Sequence, residues 1–255
     1  MHIYGIQNND LVNNKQPQFK GFERTVVKPL GNLVENVVHR NNTYIFRNDL
    51  NWDKLIELIK IKYAKAEKVN VYNYACSNGL EAYSFLMKLM ANTPKEFVNK
   101  CTPIIARDYD NFAIMMAKTK MVDIWPDEIE RIERHTFGGQ NYFFRKLNGR
   151  KIDEYKYMVN PVLTEKVDFD YGDITTDYTK FNKDNTILFA RNFWPYLGRA
   201  DQLELPELIY KAMGKNSMII LGSYDCPTYS KNNEFYDFFV NAGFKKTDVP
   251  YVYVK

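Results

Sequence analysis

Apolar positions along this chain alternate between two rhythms, and the alternation predicts strands separated by helices. Between Leu50 and Tyr63, Leu55, Ile56, Ile59 and Ile61 are interleaved with lysines and a glutamate. That spacing predicts an amphipathic helix, with Asn51 or Asp53 as its cap. Val69–Tyr74 is β-branched and aromatic and predicts the first strand of a main domain. Leu80 to Met90 returns to helical spacing. The segment 103–108 (PIIARD) reads as a second strand and Asn111 to Met121 as a helix. A helical turn is expected over 127–134, and Gly138-Gly139 breaks the chain. From Tyr142 to Val162 aromatics and charges surround Asn148-Gly149, a hairpin signal, so a small antiparallel excursion is expected over about 138–165. Val167–Tyr171, the apolar run 186–191 (TILFAR) and 218–223 (MIILGS) follow as strands. Helices are expected over 203–213 and 234–242, the last stopped by Gly243, and two short strands flank Pro250. Upstream, Val26, Leu30, Leu33, Val34, Val37 and Val38 read as a short amphipathic helix within 22–38, behind a polar, Asn/Gln-rich arm over 1–20.

Strands that alternate with helices imply an α/β domain, a sheet covered on both faces. The division expected is an N-terminal arm and helical extension over 1–65 and a main domain over 66–255. The 255 residues, 45% hydrophobic and 15% aromatic, suffice to fill such a core. No apolar run approaches the roughly 20 residues of a membrane span, and the first ten residues lack a secretion signal. Cys76, Cys101 and Cys226 are few and far apart, which argues against a disulfide framework; with the scattered His2, His39 and His135 they offer no zinc spacing. A cytoplasmic, metal-free protein is the plain reading. The net charge of +4 does not demand a nucleic-acid partner, and Lys20, Arg24, Lys28 and Arg40 read equally as a solvated face.

Candidate chemistry gathers at the predicted carboxyl ends of successive strands, where open α/β sheets hold ligands. Strand one ends in Ala75-Cys76-Ser77-Asn78-Gly79, directly before a helix, a place for an anion on free backbone N–H groups. Glu81, in the first helical turn, can pair with a ligand ammonium. Asp108 ends strand two, with two acceptor oxygens that suit the hydroxyls of a ribose. Asp173 follows strand three and can accept from an adenine amino group; Arg191-Asn192 ends strand four, ahead of Trp194, Pro195 and Tyr196. A ligand with carboxylate, ammonium, ribose and adenine is S-adenosylmethionine; a dinucleotide needs more glycines than Gly79 alone. Each residue also has a structural reading. Asp108 or Asp110 can cap the next helix, Asp173 can be a turn residue, and Trp194 and Tyr196 can be core or rim aromatics.

The same residues resemble the chemotaxis-receptor glutamate methyltransferases, the CheR-like family. The family's C-S-T-G-E-E-P-Y-S turn is similar to residues 76–84, CSNGLEAYS. Its A-x-D-I-D resembles Ala106-Arg107-Asp108-Tyr109-Asp110, its V-x-F and N-L resemble Val167-Asp168-Phe169 and Asp173-Ile174, and its C-R-N-V-x-I-Y-F resembles residues 190–197, ARNFWPYL. Near the start, T-x-F-F-R matches Thr43-Tyr44-Ile45-Phe46-Arg47. Leu80, Asp173 and Ala190 depart from the pattern, standing for an acid, an amide and a cysteine. The resemblance implies a class I methyltransferase (Rossmann-like) fold: a seven-stranded mixed sheet with its last strand antiparallel, helices on both faces, a short N-terminal helical extension and a small β excursion. It implies S-adenosylmethionine as methyl donor and S-adenosylhomocysteine as product. Cofactor-binding positions would be Ala75, Cys76, Ser77, Asn78, Gly79, Glu81, Asp108, Tyr109, Asp173, Ile174, Arg191 and Asn192. Arg47 and Tyr196 would stand by the methyl and the acceptor, a carboxylate on a protein or small molecule. The excursion sits where the family docks a tethering peptide. A non-catalytic module that senses S-adenosylmethionine or S-adenosylhomocysteine is the alternative, and a nicotinamide enzyme or an RNA methyltransferase are lesser ones.

Overall fold

The computed structural model describes residues 23–30, 33–40, 43–148, 151–225 and 234–255. The expected arm over 1–20 and Cys226 lie outside them. The chain divides into two units, Met1–Asn42 and Thr43–Lys255.

The first unit corrects the helix expected within 22–38. It holds two strands, β1 (Glu23–Leu30) and β2 (Leu33–Arg40), paired antiparallel with Val26 opposite Val37 and Thr25 opposite Val38. β-branched residues favour this cross-strand pairing. Pro29 would cost a helix interior about 3 kcal/mol, whereas a two-stranded ladder is all edge and tolerates it.

In the second unit, α1 (Trp52–Lys62) starts at Asn51, whose side chain accepts from Lys54 N. After it come β3 (Asn70–Tyr74), α2 (Leu80–Asn92), α3 (Lys95–Lys100), β4 (Ile104–Asp108) and α4 (Asn111–Lys118). Then β5 (Met121–Asp123), α5 (Pro126–Thr136), β6 (Phe143–Asn148), β7 (Lys151–Val159) and α6 (Pro161–Thr164) form the excursion and its flanks. The chain closes with β8 (Val167–Tyr171), α7 (Ile174–Asp177), β9 (Thr186–Ala190), α8 (Arg199–Ala212), β10 (Met218–Ile220), α9 (Glu234–Asn241), β11 (Lys245–Lys246) and β12 (Val252–Val254).

Seven strands form one sheet in the order β11-β12-β10-β9-β3-β4-β8. Neighbours from β10 to β8 run parallel, and β12 is antiparallel to both β10 and β11. This is the expected mixed class I methyltransferase sheet. Strand order reverses between β3 and β9, and the carboxyl ends of strands at such a switch point are where open α/β sheets hold ligands. The central strands are buried on both faces. Ile187 and Phe189 of β9 pack in one core with Val71, Phe85 and Met218, while Leu188 and Ala190 pack in the other with Tyr72, Ile219 and Phe239. A near-continuous apolar strand is the sequence mark of that position.

The excursion is a three-stranded antiparallel sheet, β5-β7-β6. Its hairpin pairs Asn148 with Lys151; Gly149, of the expected Asn-Gly turn, lies outside the described residues. Helix α4 stops at Lys118, earlier than expected, because Lys120 takes φ 60° and Met121 leaves to pair with Met158. A cavity of about 360 Å3 lies between α5 and this sheet, lined by Ile124, Ile132, Phe143 and Tyr157, with Asn141 and Arg145 as its polar groups. Among the described residues no helix is long and apolar enough to cross a membrane.

Candidate functional site

The turn after β3 is built from alternating left-handed residues: Ala75 at φ 55°, Ser77 at φ 51° and Gly79 at φ 91°. Cys76 N donates to Arg107 O (3.1 Å) and Gly79 N to Cys76 O (2.9 Å), which folds the turn against the end of β4. Gly79 has no side chain with which to cap α2, and Asn78 Oδ1 reaches Leu80 N at 3.3 Å. An anion therefore suits the first turn of this 13-residue helix. Only glycine fits position 79, since a Cβ there would lie 2.5 Å from Phe169 Cζ and 2.7 Å from Cε1. We expect Gly79→Ala to lower stability by about 2–4 kcal/mol, through the left-handed backbone and the displaced ring, read as a fall in urea midpoint.

Behind that turn lies a buried charge cluster. The Arg191 side chain is 0% exposed; its Nη1 donates to Glu81 Oε2 and its Nη2 to Asp49 Oδ1 (2.6 Å). Glu81 Oε1 accepts from Asn73 Nδ2 at 2.8 Å, and Asp49 Oδ2 from Ser223 N at 2.9 Å. Burial works against the Arg191 charge, but Glu81 and Asp49 outweigh it and hold its pKa above the ordinary arginine value. Burial likewise opposes ionisation of Asp49; Arg191, the Ser223 N–H and Arg47 outweigh it and keep the carboxyl below its usual range. Arg191 and Arg47 thus face the carboxylates of Glu81 and Asp49, with Asp225 also in electrostatic reach of Arg191.

Asp108 joins the turns after β3 and β4. Its Oδ2 accepts from Ser77 N (2.7 Å) and its Oδ1 from Asp110 N (2.8 Å). Asp110, not Asp108, is the cap of α4, accepting from Phe112 N at 2.8 Å. The Tyr109 ring lies 5.8 Å from that of Tyr171. Asp173 and Ile174 sit after β8, two strands from β3. Asp173 caps α7 there, its Oδ1 accepting from Thr175 N (2.9 Å) and Oγ1 (2.7 Å), while Ile174 is buried.

Arg47 is carried by an irregular segment held from three sides. Glu128 Oε1 accepts from Ile45 N (2.9 Å), Ser84 Oγ from Phe46 N (2.8 Å), and Trp52 Nε1 donates to Arg47 O (3.1 Å). Phe46 takes φ 46° and stacks on His135 with ring centroids 4.6 Å apart. The Arg47 guanidinium lies 5.6 Å from the Tyr44 ring centre. Beyond β9, Asn192 takes φ 62°, and its Oδ1 is buried with no hydrogen-bond partner among the described residues. Tyr196 is half-exposed. Cys76 is buried, and burial followed by the Asp108 charge pushes its thiol pKa well up, so it offers no thiolate.

The structure thus brings Glu81 and Arg191 together directly, and Ser77 with Asp108. Two residues that the sequence reading passed over complete the site. Asp49 is two residues beyond Arg47 and closes the Arg191 cluster; Asp225 accepts from the backbone of Asn192. Asp225 follows β10, so the signal that marked Asp108 and Asp173, an acid just past a strand, applied to it as well.

A helix start for a carboxylate, acidic side chains for an ammonium and a buried acceptor with no partner among the described residues suit the methionine end of S-adenosylmethionine. A chemotaxis protein methyltransferase of Borreliella burgdorferi is 24% identical over 231 residues, covering 85% of this chain and 78% of that protein. Among solved structures, a TehB-like SAM-dependent methyltransferase from Corynebacterium glutamicum aligns with TM-score 0.43 and 12% identity, over 82% of this chain and 90% of its own. An O-methyltransferase from Nostoc punctiforme, described as putative, aligns with TM-score 0.39 and 16% identity over 79% and 56%. The model of the family described as CheR methyltransferase, SAM binding domain, matches residues 41–241, and the chain belongs to that family of S-adenosylmethionine-dependent methyltransferases.

Proposed function

We propose that this methyltransferase esterifies a carboxylate on a protein, with Arg47 gripping the acceptor and Tyr196 orienting it. The observation that carries the reading is the rigid mounting of Arg47, braced through Glu128, Ser84 and Trp52 beside the Arg191 cluster. A guanidinium fork matches a carboxylate in two parallel hydrogen bonds. Such an acceptor, with a pKa near 4, is ionised at neutral pH and needs no general base. S-adenosylmethionine supplies an electrophilic methyl group, and the C–S electron pair leaves with sulfur as the new O–C bond forms. The protein's part is alignment and exclusion of water.

On the donor side, the first turn of α2 takes the carboxylate, Glu81 and Asp49 balance the ammonium, and Asn192 lines the pocket wall. Asp108 accepts the ribose hydroxyls. Tyr109, Asp173 and Ile174 border the adenine. The Borreliella burgdorferi relative is named a chemotaxis protein methyltransferase, which supports a protein acceptor. The cavity beneath the excursion, with its Phe143 and Tyr157 walls, gives such a protein an apolar hold.

Cell extract supplied with methyl-labelled S-adenosylmethionine should take up label that alkali releases as methanol, the mark of a methyl ester. Alkali-stable label would sink the carboxylate reading. Arg47→Ala should lower turnover by about 100-fold or more, and Tyr196→Phe by about 10-fold. Both should keep S-adenosylhomocysteine affinity within about threefold by calorimetry. Loss of affinity with turnover preserved would show that neither residue serves the acceptor.

A further inference from the structure

Asp225 is 2% exposed, and among the described residues the hydrogen bonds its carboxylate accepts come from backbone of the β9 and β10 loops. Oδ2 accepts from Asn192 N and from Gly222 N (2.8 Å); Oδ1 accepts from Trp194 N (2.9 Å). Burial pushes its pKa up to about 6 against the pull of those three N–H groups and of Arg191. A buried acid that costs this much has a structural alternative: a neutral side chain would pack without desolvating a charge. What the acid gives in return is geometry. Asn192 is held at φ 62°, a left-handed conformation unfavourable for a side-chain-bearing residue, and Gly222 approaches so closely that a Cβ there would collide with Asn192 Oδ1. Trp194, fixed by the same carboxylate, packs on Phe239 with ring centroids 4.9 Å apart. Two residues further on comes Tyr196, whose N–H donates to Phe193 O at 2.9 Å.

We propose that Asp225 is a positioning residue for methyl transfer: it fixes the left-handed Asn192 turn from which the donor-pocket wall and Tyr196 both hang. The proposal rests on the reading of Asn192 as pocket wall given above. Asp225 touches neither donor nor acceptor in this account; it acts through the backbone of the loop. The turn therefore exists before any ligand arrives.

The test uses the full chain with S-adenosylhomocysteine as probe. Asp225→Asn keeps the shape and one acceptor oxygen; Asp225→Ala keeps neither. Calorimetry well below Tm should find affinity reduced about 10-fold in the Asn variant and further in the Ala variant. Exchange of the Asn192 and Trp194 amides should be faster in both variants. A folded Asn variant with wild-type affinity and wild-type exchange overturns the proposal, since a residue that only stabilised the fold would lower Tm alone. Should neither variant fold, the wild type decides. Its Asn192 and Trp194 amides must be protected before S-adenosylhomocysteine is added, and rapid exchange there overturns the proposal. Asn192→Ala separates the two layers. Lost affinity in that variant with none lost in Asp225→Asn refutes the positioning role alone, whereas unchanged affinity in Asn192→Ala refutes the pocket reading and the proposal with it.

Discussion

Arg191→Met should destabilise the protein by about 3–5 kcal/mol and lower Tm by roughly 10 °C. Methionine matches the arginine stem in length and packs well, so the loss does not come from a void. It comes from Glu81 and Asp49, left without the cation they share at side-chain exposures of 12% and 18%. Wild-type Asp49 has a lowered pKa, so its contribution to stability is present above the ordinary carboxylate pKa and is lost as pH falls through the lowered value. In the variant the sign reverses. Burial without Arg191 favours the neutral Asp49 carboxyl, so the variant's stability should rise as pH falls from neutral towards the ordinary carboxylate pKa. Thermal melts of both proteins across that range provide the measurement. A variant with wild-type Tm and wild-type pH slope would show that the triad contributes nothing to the fold.

That experiment bears on what a linear reading can reach. The sheet was legible because β9 and β10 are apolar on both faces and the strand ends fall where turn residues begin. Asp108, Glu81 and Arg191 stood out as candidates for the same reason: their positions relative to strand ends carry meaning. What Arg191 does was not legible. Its partner Asp49 lies 142 residues away in sequence, and only the fold brings them to 2.6 Å. The segment 22–38 misled for a different reason. Val26, Leu30, Leu33, Val34, Val37 and Val38 satisfy helical spacing, and valines at 26 and 37 equally satisfy a ladder. Pro29 and the Gly31-Asn32 pair were the deciding signals, since one removes a helical donor and the other carries hairpin turn chemistry. Asp173 shows the limit from the other side. The structure assigns it a helix cap, the alternative that any acid after a strand carries, and a role towards adenine would have to be added to that cap.

Asp108→Asn should weaken S-adenosylhomocysteine binding by about 100- to 1,000-fold, since each hydrogen bond to a charged acceptor contributes about 1.5–3 kcal/mol. The carboxylate accepts from Ser77 N and Asp110 N, one at each oxygen, and a carboxylate oxygen can accept more than one hydrogen bond. Two acceptor oxygens, side by side, match the vicinal hydroxyls of a ribose. The amide variant removes one acceptor and turns an NH2 towards a backbone N–H. Both the ribose contact and the clasp between the two turns therefore suffer, and a simple affinity loss would not tell them apart. A double-mutant cycle does, with the 2′-deoxy analogue of S-adenosylhomocysteine as the second change. For the wild type, deleting the hydroxyl should cost about 10-fold; for Asp108→Asn, it should cost much less, because the partner is already gone. Equal costs in both proteins would mean that Asp108 acts only by clasping the turns. The sugar would then be held by another group, and the donor pocket would have to be redrawn around the Arg191 cluster.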